Sequence, residues 1–435
     1  MANTYLTKTY STQPTNSRIG TFSFWIKFSK LSASGDRYLF STYEDSNDRT
    51  LCKFNTDGKF ELQTTEGANA GLRYDTNRVF RDTNAWYNIV IATDTTQSTA
   101  ANRVKIYVNG VQETSFQTAN NPAQNLVPHF LYGGIQKWIG VYGGGGANNW
   151  DGLMSHVAHI DGTQELPTIF GETDSTTGEW KIKTNIVPSS AWGTNGYWIL
   201  KDGNTVTDSS SNSNTWTVGG GTLTKSEDNP SNVFCTLNPL SSGTDQAFSK
   251  GNNEIANSTT NWNSTLGTLA FGTGKYYFEG TRIGSGGSNT ANIGITLSSK
   301  FGGNHSGVDA GRIMYSSNGY VYKDAWSLSN DNIVTIGSGV VIGVSLDTIN
   351  GILKFYNNGS LVSTTTNNLL KSSNNEFIPA CATYAGGKWR LNFGNGYAGT
   401  TPVSSAGTNA SGNGIFEYDI QPTDATALST KGLNL

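Results

Sequence analysis

Hydrophobic and polar positions alternate along most of this chain with a period of two. In Val104-Lys105-Ile106-Tyr107-Val108 the Val and Ile side chains fall on one face and Lys105 and Tyr107 on the other. That is the pattern of a strand with one face buried. Asn109-Gly110 follows and supplies the two φ > 0 residues that a type I′ hairpin turn needs. The device recurs in Leu353-Lys354-Phe355-Tyr356-Asn357-Asn358-Gly359, with Lys, Tyr, Asn and Gly at matching positions. Each copy is preceded by an apolar run that ends in Asp, at residues 86–94 and 340–347. The chain therefore reads as two antiparallel β-domains built on similar local logic.

Further strands are predicted at 22–28, 38–43, 51–55, 59–64, 111–116, 137–141 and 150–162, the last lying between two Asp-Gly turns. The second half adds 274–279, 293–295, 319–324, 341–347 and 389–394, and a final strand over 414–420. No long stretch carries the i, i+3, i+4, i+7 spacing of a helix. The predicted class is all-β: two antiparallel β-sandwich (jelly-roll) domains, 1–164 and 251–398, joined by an irregular, aromatic-containing connector. The connector, 165–250, sets Trp180, Trp192, Tyr197, Trp198 and Trp216 in polar surroundings and is expected to pack against its neighbours. A C-terminal extension occupies 399–435.

Composition narrows the function classes. Charged residues are 14% of the chain against about 25% in ordinary soluble domains, and Gly (52), Asn, Ser and Thr take their place. An aromatic share of 11% excludes disorder. A net charge of −3 without a basic block gives no footprint for nucleic acid or an anionic membrane. No apolar run approaches the length that spans a bilayer. The N-terminus has neither the basic nor the apolar region of a secretory signal, so synthesis in a reducing cytoplasm is expected. Cys52, Cys235 and Cys381 are scattered and read as buried thiols.

Catalytic and metal motifs are scarce. His156 and His159, three apart on a strand, point to opposite faces and cannot chelate one ion. One is expected buried and hydrogen-bonded, the other exposed. No Ser or Cys sits in a GxSxG context. The glycine runs 143–146 and 219–221 lack the Lys-Ser/Thr and helix of a phosphate loop. No catalytic residue and no cofactor are expected.

The order Phe-Ser-Phe-Trp-Ile (22–26), Trp86-Tyr87-Asn88-Ile89-Val90, Lys105–Gly110 and Trp150-Asp151-Gly152-Leu153 resembles the laminin-G-like, concanavalin A-type jelly roll. The series 274–279, 293–295, 319–324, 341–347, the Leu353 hairpin and 389–394 is similar to a SPRY domain, a sandwich used in protein–protein recognition. With Asp228-Asn229-Pro230-Ser231-Asn232-Val233-Phe234-Cys235 and its surroundings, most of the chain resembles structural proteins of tailed, marine-type bacteriophages. That resemblance implies a virion protein at the particle surface, as a tail fibre, tail-associated or head-decorating part. It also implies other virion proteins as partners, a homo-oligomer (a trimer if a fibre), and host-surface polysaccharide as a ligand.

The jelly-roll resemblance also implies a rival, a glycoside hydrolase, whose pattern is Glu-x-Asp-x-Glu or its bulged form. Glu172-Thr173-Asp174 lacks the third carboxylate, and Glu179 comes too late, so no enzyme is expected. Glycan contact calls for an aromatic platform beside amide or carboxylate partners. Trp138, Tyr142, Asn148, Asn149, Trp150 and Asp151 form one such cluster, and Tyr320, Tyr322, Asp324 and Trp326 a second. Calcium, which some laminin-G-like domains hold, would fall to Asp94 and Asp151.

Overall fold

The computed structural model describes residues 4–29, 35–67, 69–145, 148–201, 203, 205–284, 286–300, 311–323, 331–399 and 401–433. The chain divides into two compact units, Met1–Lys225 and Ser226–Leu435. Both are antiparallel β-sandwiches, as the alternation predicts.

In the first unit an eight-stranded sheet runs β10 (Phe116–Asn120), β6 (Asn69–Val79), β5 (Lys59–Glu66), β4 (Arg49–Phe54), β3 (Arg37–Tyr43), β11 (Gln136–Ile139), β1 (Tyr5–Thr9), β16 (Thr217–Gly220). It faces a six-stranded sheet of β15 (Tyr197–Ile199), β12 (Gly152–Asp161), β2 (Ile19–Phe28), β7 (Tyr87–Asp94), β8 (Val104–Val108) and β9 (Val111–Gln112). Phe22, Phe24, Ile26 and Phe28 of β2 alternate into the core against Phe40, Phe54, Phe60 and Leu62. The intervening residues of β2 are buried too, because a further layer covers the outer side of its sheet. Val90, Ala92, Ala158 and Ile160 meet Phe170, Ile186 and Trp198 there.

Those last three residues explain the aromatic connector. Residues 165–225 fold as part of the first unit. Tyr197, Ile199 and Trp216 enter its main core, while Phe170, Ile186 and Trp198 build the covering layer. A small hairpin, β13 (Gly171–Thr173) and β14 (Trp180–Ile182), lies beside the Asn109-Gly110 turn, with Trp180 against Gly110. The polar residues serve as turn anchors. Asp208, for instance, accepts from the backbone N–H groups of Trp198 (2.8 Å), Ser210 (2.8 Å) and Asn214 (2.6 Å).

In the second unit one sheet runs β17 (Leu237–Ser242), β20 (Asn263–Gly267), β29 (Phe377–Thr383), β22 (Ala291–Leu297), β23 (Arg312–Ser316), β24 (Tyr320–Lys323), β25 (Asp331–Asn332). The other runs β18 (Gln246–Ser249), β19 (Glu254–Asn257), β30 (Lys388–Asn392), β21 (Lys275–Arg282), β26 (Val341–Asp347), β27 (Ile352–Asn357), β28 (Ser360–Thr366). Ile293, Ile313, Val344, Phe355, Cys381 and Trp389 fill the space between. A short hairpin, β31 (Tyr397–Ala398) and β32 (Thr401–Pro402), leads to the C-terminal arm. There β33 (Thr426–Ala427) adds parallel to β21, and one turn of helix covers Thr430–Leu433.

Both predicted turns form. Asn109 and Gly110 have φ of 48° and 77°, and Asn358 and Gly359 have 45° and 79°. Each Asn side chain also accepts a backbone N–H from the neighbouring strand, Asn88 at 2.8 Å and Val341 at 2.9 Å. The 414–420 segment, expected as a strand, is not one. Only Ile415 makes a bridge, to Asn395, while Phe416 and Ile420 are buried against the outer side of β21 and β27. Its apolar spacing serves as anchoring. The expected return strand 111–116 is likewise split, into β9 and β10, which join different sheets.

Candidate functional site: an aromatic and polar sheet face

The strand registers of the first unit place its outward side chains in rows. Tyr38, Lys53, Glu61 and Asp75 lie side by side across β3, β4, β5 and β6. Trp138, Ser41, Leu51, Gln63 and Arg73 form the next row, and Tyr43, Arg49 and Thr65 a third. Period-two alternation sends Phe40, Cys52, Phe54, Phe60 and Leu62 the other way, into the core.

Over this face folds the segment after β11. Tyr142 sets its ring 5.2 Å from Tyr38 and 5.7 Å from Tyr43, and its hydroxyl accepts from Arg49 Nη1 at 3.2 Å. Ser41 Oγ fixes the turn by donating to the Val141 carbonyl (2.8 Å) and accepting the Gly143 N–H (3.0 Å). Gly143 lies against the Trp138 ring and Gly144 against Tyr142, so closely that neither position admits a Cβ. Of the glycine run, Gly143 and Gly144 are thus close-packed on aromatics, while Gly145 has open space around it.

Beside the tyrosines runs a ladder of alternating charge. Lys53 Nζ lies 2.5 Å from Asp36 and 3.6 Å from Glu61. Arg73 lies 3.7 Å from Glu61 and 3.0 Å from Asp75. Burial pushes the Glu61 carboxyl up, and Lys53 and Arg73 pull it back. Arg73 keeps 40% of its side chain exposed, whereas Glu61 and Asp75 are buried. Aromatic carbon, a guanidinium edge and fixed carboxylates on one rigid face are the groups that hold a sugar ring.

The structure disperses the first predicted cluster. Trp138 and Tyr142 belong to the face, and Asn148 touches Gly35 at its margin. Asn149 forms a bridge with Val141. Trp150 turns inward, 5.3 Å from Phe28 and 6.1 Å from Phe54, and donates its Nε1–H to the Leu153 carbonyl at 3.3 Å. It is half-buried and packs its ring against the core. Asp151 accepts from the Ser29 hydroxyl.

The two calcium candidates, Asp94 and Asp151, are not brought together. Asp94 pairs opposite Ile19 and Asp151 precedes Gly152, which pairs opposite Phe28. They lie at opposite ends of β2, roughly 30 Å apart at the rise of a strand. Asp94 is occupied by Thr96 N (3.0 Å), Thr96 Oγ1 (2.6 Å) and Gln97 Nε2 (2.7 Å). Among the described residues no group of His, Cys, Asp and Glu is arranged to hold a metal ion.

In the second cluster Tyr320 and Tyr322 stack at 6.0 Å on one side of β24, and Asn318 Nδ2 donates to Tyr322 Oη at 2.8 Å. Tyr320 is 39% exposed. Asp324 and Trp326 lie outside the described residues.

The histidines differ from expectation in one respect. His159 stacks on Phe22 at 4.0 Å in the core and His156 faces Trp198 at 5.7 Å, so they do point to opposite sides. Both, however, are buried. The covering layer takes the side that the sequence leaves to solvent. Glu172 and Asp174 sit on the β13–β14 hairpin, where Asp174 is tied to Lys181 (2.7 Å) and held well below the usual carboxylate range by that bond and two backbone N–H groups.

A third cluster was not singled out by sequence. His129 Nδ1 lies 2.6 Å from Thr42 Oγ1 and its Nε2 3.0 Å from Glu44 Oε2. This has the connectivity of a hydroxyl–imidazole–carboxylate relay, but Thr42 is 0% exposed and Glu44 is the outer member. The hydroxyl has no access to a substrate, and the cluster fastens residues 128–132 to the sheet.

Residues 2–169 match the family model of the concanavalin A-like lectin/glucanases superfamily, and residues 275–396 match the SPRY domain. A concanavalin A-like domain followed by a SPRY domain is thus the class that fold and sequence define. No curated protein matches the chain. Among solved structures, the SPRY domain of human HERC1 is similar to 36% of this chain, with 96% of that chain covered, 16% identity and a TM-score of 0.30. The TRIM65 PSpry domain is similar at 15% identity and a TM-score of 0.29, covering 36% of this chain and 88% of that one. Stonustoxin, of which 27% is covered, is similar over 36% of this chain at 17% identity and a TM-score of 0.28.

Proposed function

We propose that the chain is a non-catalytic attachment protein of a tailed-phage virion, whose first unit holds host-surface saccharide on the face of its eight-stranded sheet. The two domain types allow a carbohydrate-binding or protein-interaction role. The observation that carries the choice is the Tyr38–Tyr142–Tyr43 cluster braced by Arg49, set beside the Lys53–Glu61–Arg73–Asp75 ladder. In this reading the second unit contacts other virion proteins and the chain assembles with its own copies, as three if it is a fibre. The phage assignment rests on the sequence resemblance and on a surface of hydroxyls and amides, which salt screens little.

One observation favours hydrolysis as the second reading: Glu61 and Asp75 stand opposite each other across β5 and β6. Against it, both are buried and bridged by Arg73. A glycan array probed with the full chain separates the readings, followed by a reducing-end assay on every glycan bound. The proposal expects saturable binding without release of reducing ends. Release abolished by Glu61→Gln overturns it in favour of the hydrolase, and an array without any bound glycan overturns the saccharide role. Co-purification with phage particles at fixed stoichiometry tests the virion assignment, and its absence from particles refutes it.

A further inference from the structure

The outer side of β21 in the second unit carries a carboxylate with no cation beside it. Glu279 is 2% exposed and accepts from the Glu417 N–H (2.8 Å), the Tyr418 N–H (2.9 Å) and the Tyr277 hydroxyl (3.1 Å). Among the described residues no lysine, arginine or histidine forms an ion pair with it. Its cross-strand neighbours are Asn392 on β30 and Gly343 on β26. The titratable groups around it are Tyr277 on its own strand, Tyr356 on β27, and Glu417 and Tyr418 from the arm. Of these, Glu417 is the other carboxyl, and it pushes the Glu279 carboxyl up.

The two backbone N–H groups belong to the C-terminal arm. Phe416, Ile420, Ala425 and Ala427 of that arm close over Phe234, Tyr277 and Tyr356 as a buried cluster of their own. Asn392 Nδ2 adds a bond to the Ile415 carbonyl at 2.9 Å, and Asn413 ties the arm's two halves through Thr426 (2.9 Å) and Ser429 (3.1 Å). The chain reaches this cover through Ser404-Ser405-Ala406-Gly407-Thr408-Asn409-Ala410-Ser411-Gly412, a largely exposed run of small residues.

We propose that the C-terminal arm is a proton-controlled cover: it is held closed most firmly while Glu279 is a neutral carboxyl, and loss of that proton shifts it toward an open form that bares the aromatic side of β21 and β27. With the arm closed, an ionised Glu279 is removed from water and faces neutral donors and a like charge. With the arm open, water solvates it. Burial is the larger effect and pushes the carboxyl up to about 7, with the three hydrogen bonds opposing it and Glu417 adding to it. The sign follows from linkage. The closed form binds the proton more tightly than the open form, whose carboxyl returns to about 4.3, so closure is most favoured in acid and weakens as pH rises through 7. Between pH 6 and pH 9 the open fraction grows about tenfold.

Hydrogen–deuterium exchange of the full chain at pH 6, 7.5 and 9, corrected for intrinsic rates, tests this. Amides 415–420 are expected to lose about tenfold in protection from pH 6 to pH 9, while those of β26 do not change. Glu279→Gln, which has no proton to lose, is expected to give the same protection at all three pH values. Glu417→Gln, which removes the like charge, is expected to shrink the wild-type change. Equal wild-type protection at pH 6 and pH 9 overturns the proposal, as does a pH dependence that survives in Glu279→Gln.

Discussion

Lys137 shows how much a single side chain can cost this fold. It points from β11 into the interior, is fully buried, and donates to the Phe130 carbonyl at 2.7 Å. Burial lowers its ammonium to about 7, with distant Asp161 opposing. Because the folded value lies below the unfolded one, the unfolded chain binds more protons between about pH 7 and 10.5, and stability rises with pH across that window. Below it the fold carries the full penalty of an interior charge. Lys137→Met is therefore expected to stabilise the first unit by about 1–3 kcal/mol at pH 6, with the gain fading by pH 10. Melting curves of both proteins across that range check it. At this scale the sequence was only partly legible. Lys137 alternates like any strand residue, and Trp150 differs from Trp138 only in the way its backbone faces. The site residues Tyr38, Tyr43, Arg49, Lys53, Glu61, Arg73 and Asp75 were missed because they share a face only once strands far apart in sequence are paired. Their one signal was the polar half of the alternation at 59–65 and 49–53.

The hairpins were the most legible elements, since turn chemistry is local. Asn-Gly dictates positive φ, and in both units the Asn side chain also caps the adjacent strand. Asn358→Ala removes that acceptor and leaves a β-carbon-bearing residue at φ 45° without the Asn side-chain bond. A loss of about 1–2 kcal/mol is expected, measured as a shift in the urea midpoint with unchanged slope. Residues 414–420 show the opposite case. Phe416 and Ile420 are four apart, a spacing that names neither a strand nor, in so short a segment, a helix. What they do is set by the sheet they cover, which no local pattern records.

Across the whole molecule, two sandwiches were foreseeable from strand spacing, whereas the boundary between them was not. The first core takes Tyr197, Ile199 and Trp216 from residues that read as a connector, because aromatic residues among polar ones look alike whether they bridge domains or roof one. Fragment 1–225 is accordingly expected to fold, with sharp thermal unfolding and dispersed amide resonances. Fragment 1–164, stripped of β15, β16 and the covering layer, is expected to aggregate or stay expanded, as scattering and circular dichroism would report. A soluble, cooperatively folding 1–164 fragment would contradict this assignment of the core.

The central claim is that the sheet face gathered around Tyr142 holds saccharide. Isothermal titration with the best ligand from the array, comparing wild type, Tyr142→Ala and Tyr322→Ala, tests it most directly. Tyr142→Ala is predicted to weaken binding about tenfold or more, roughly 1.4 kcal/mol, with little change in melting temperature, and Tyr322→Ala to bind as wild type. Wild-type affinity in Tyr142→Ala, or a loss confined to Tyr322→Ala, would contradict it.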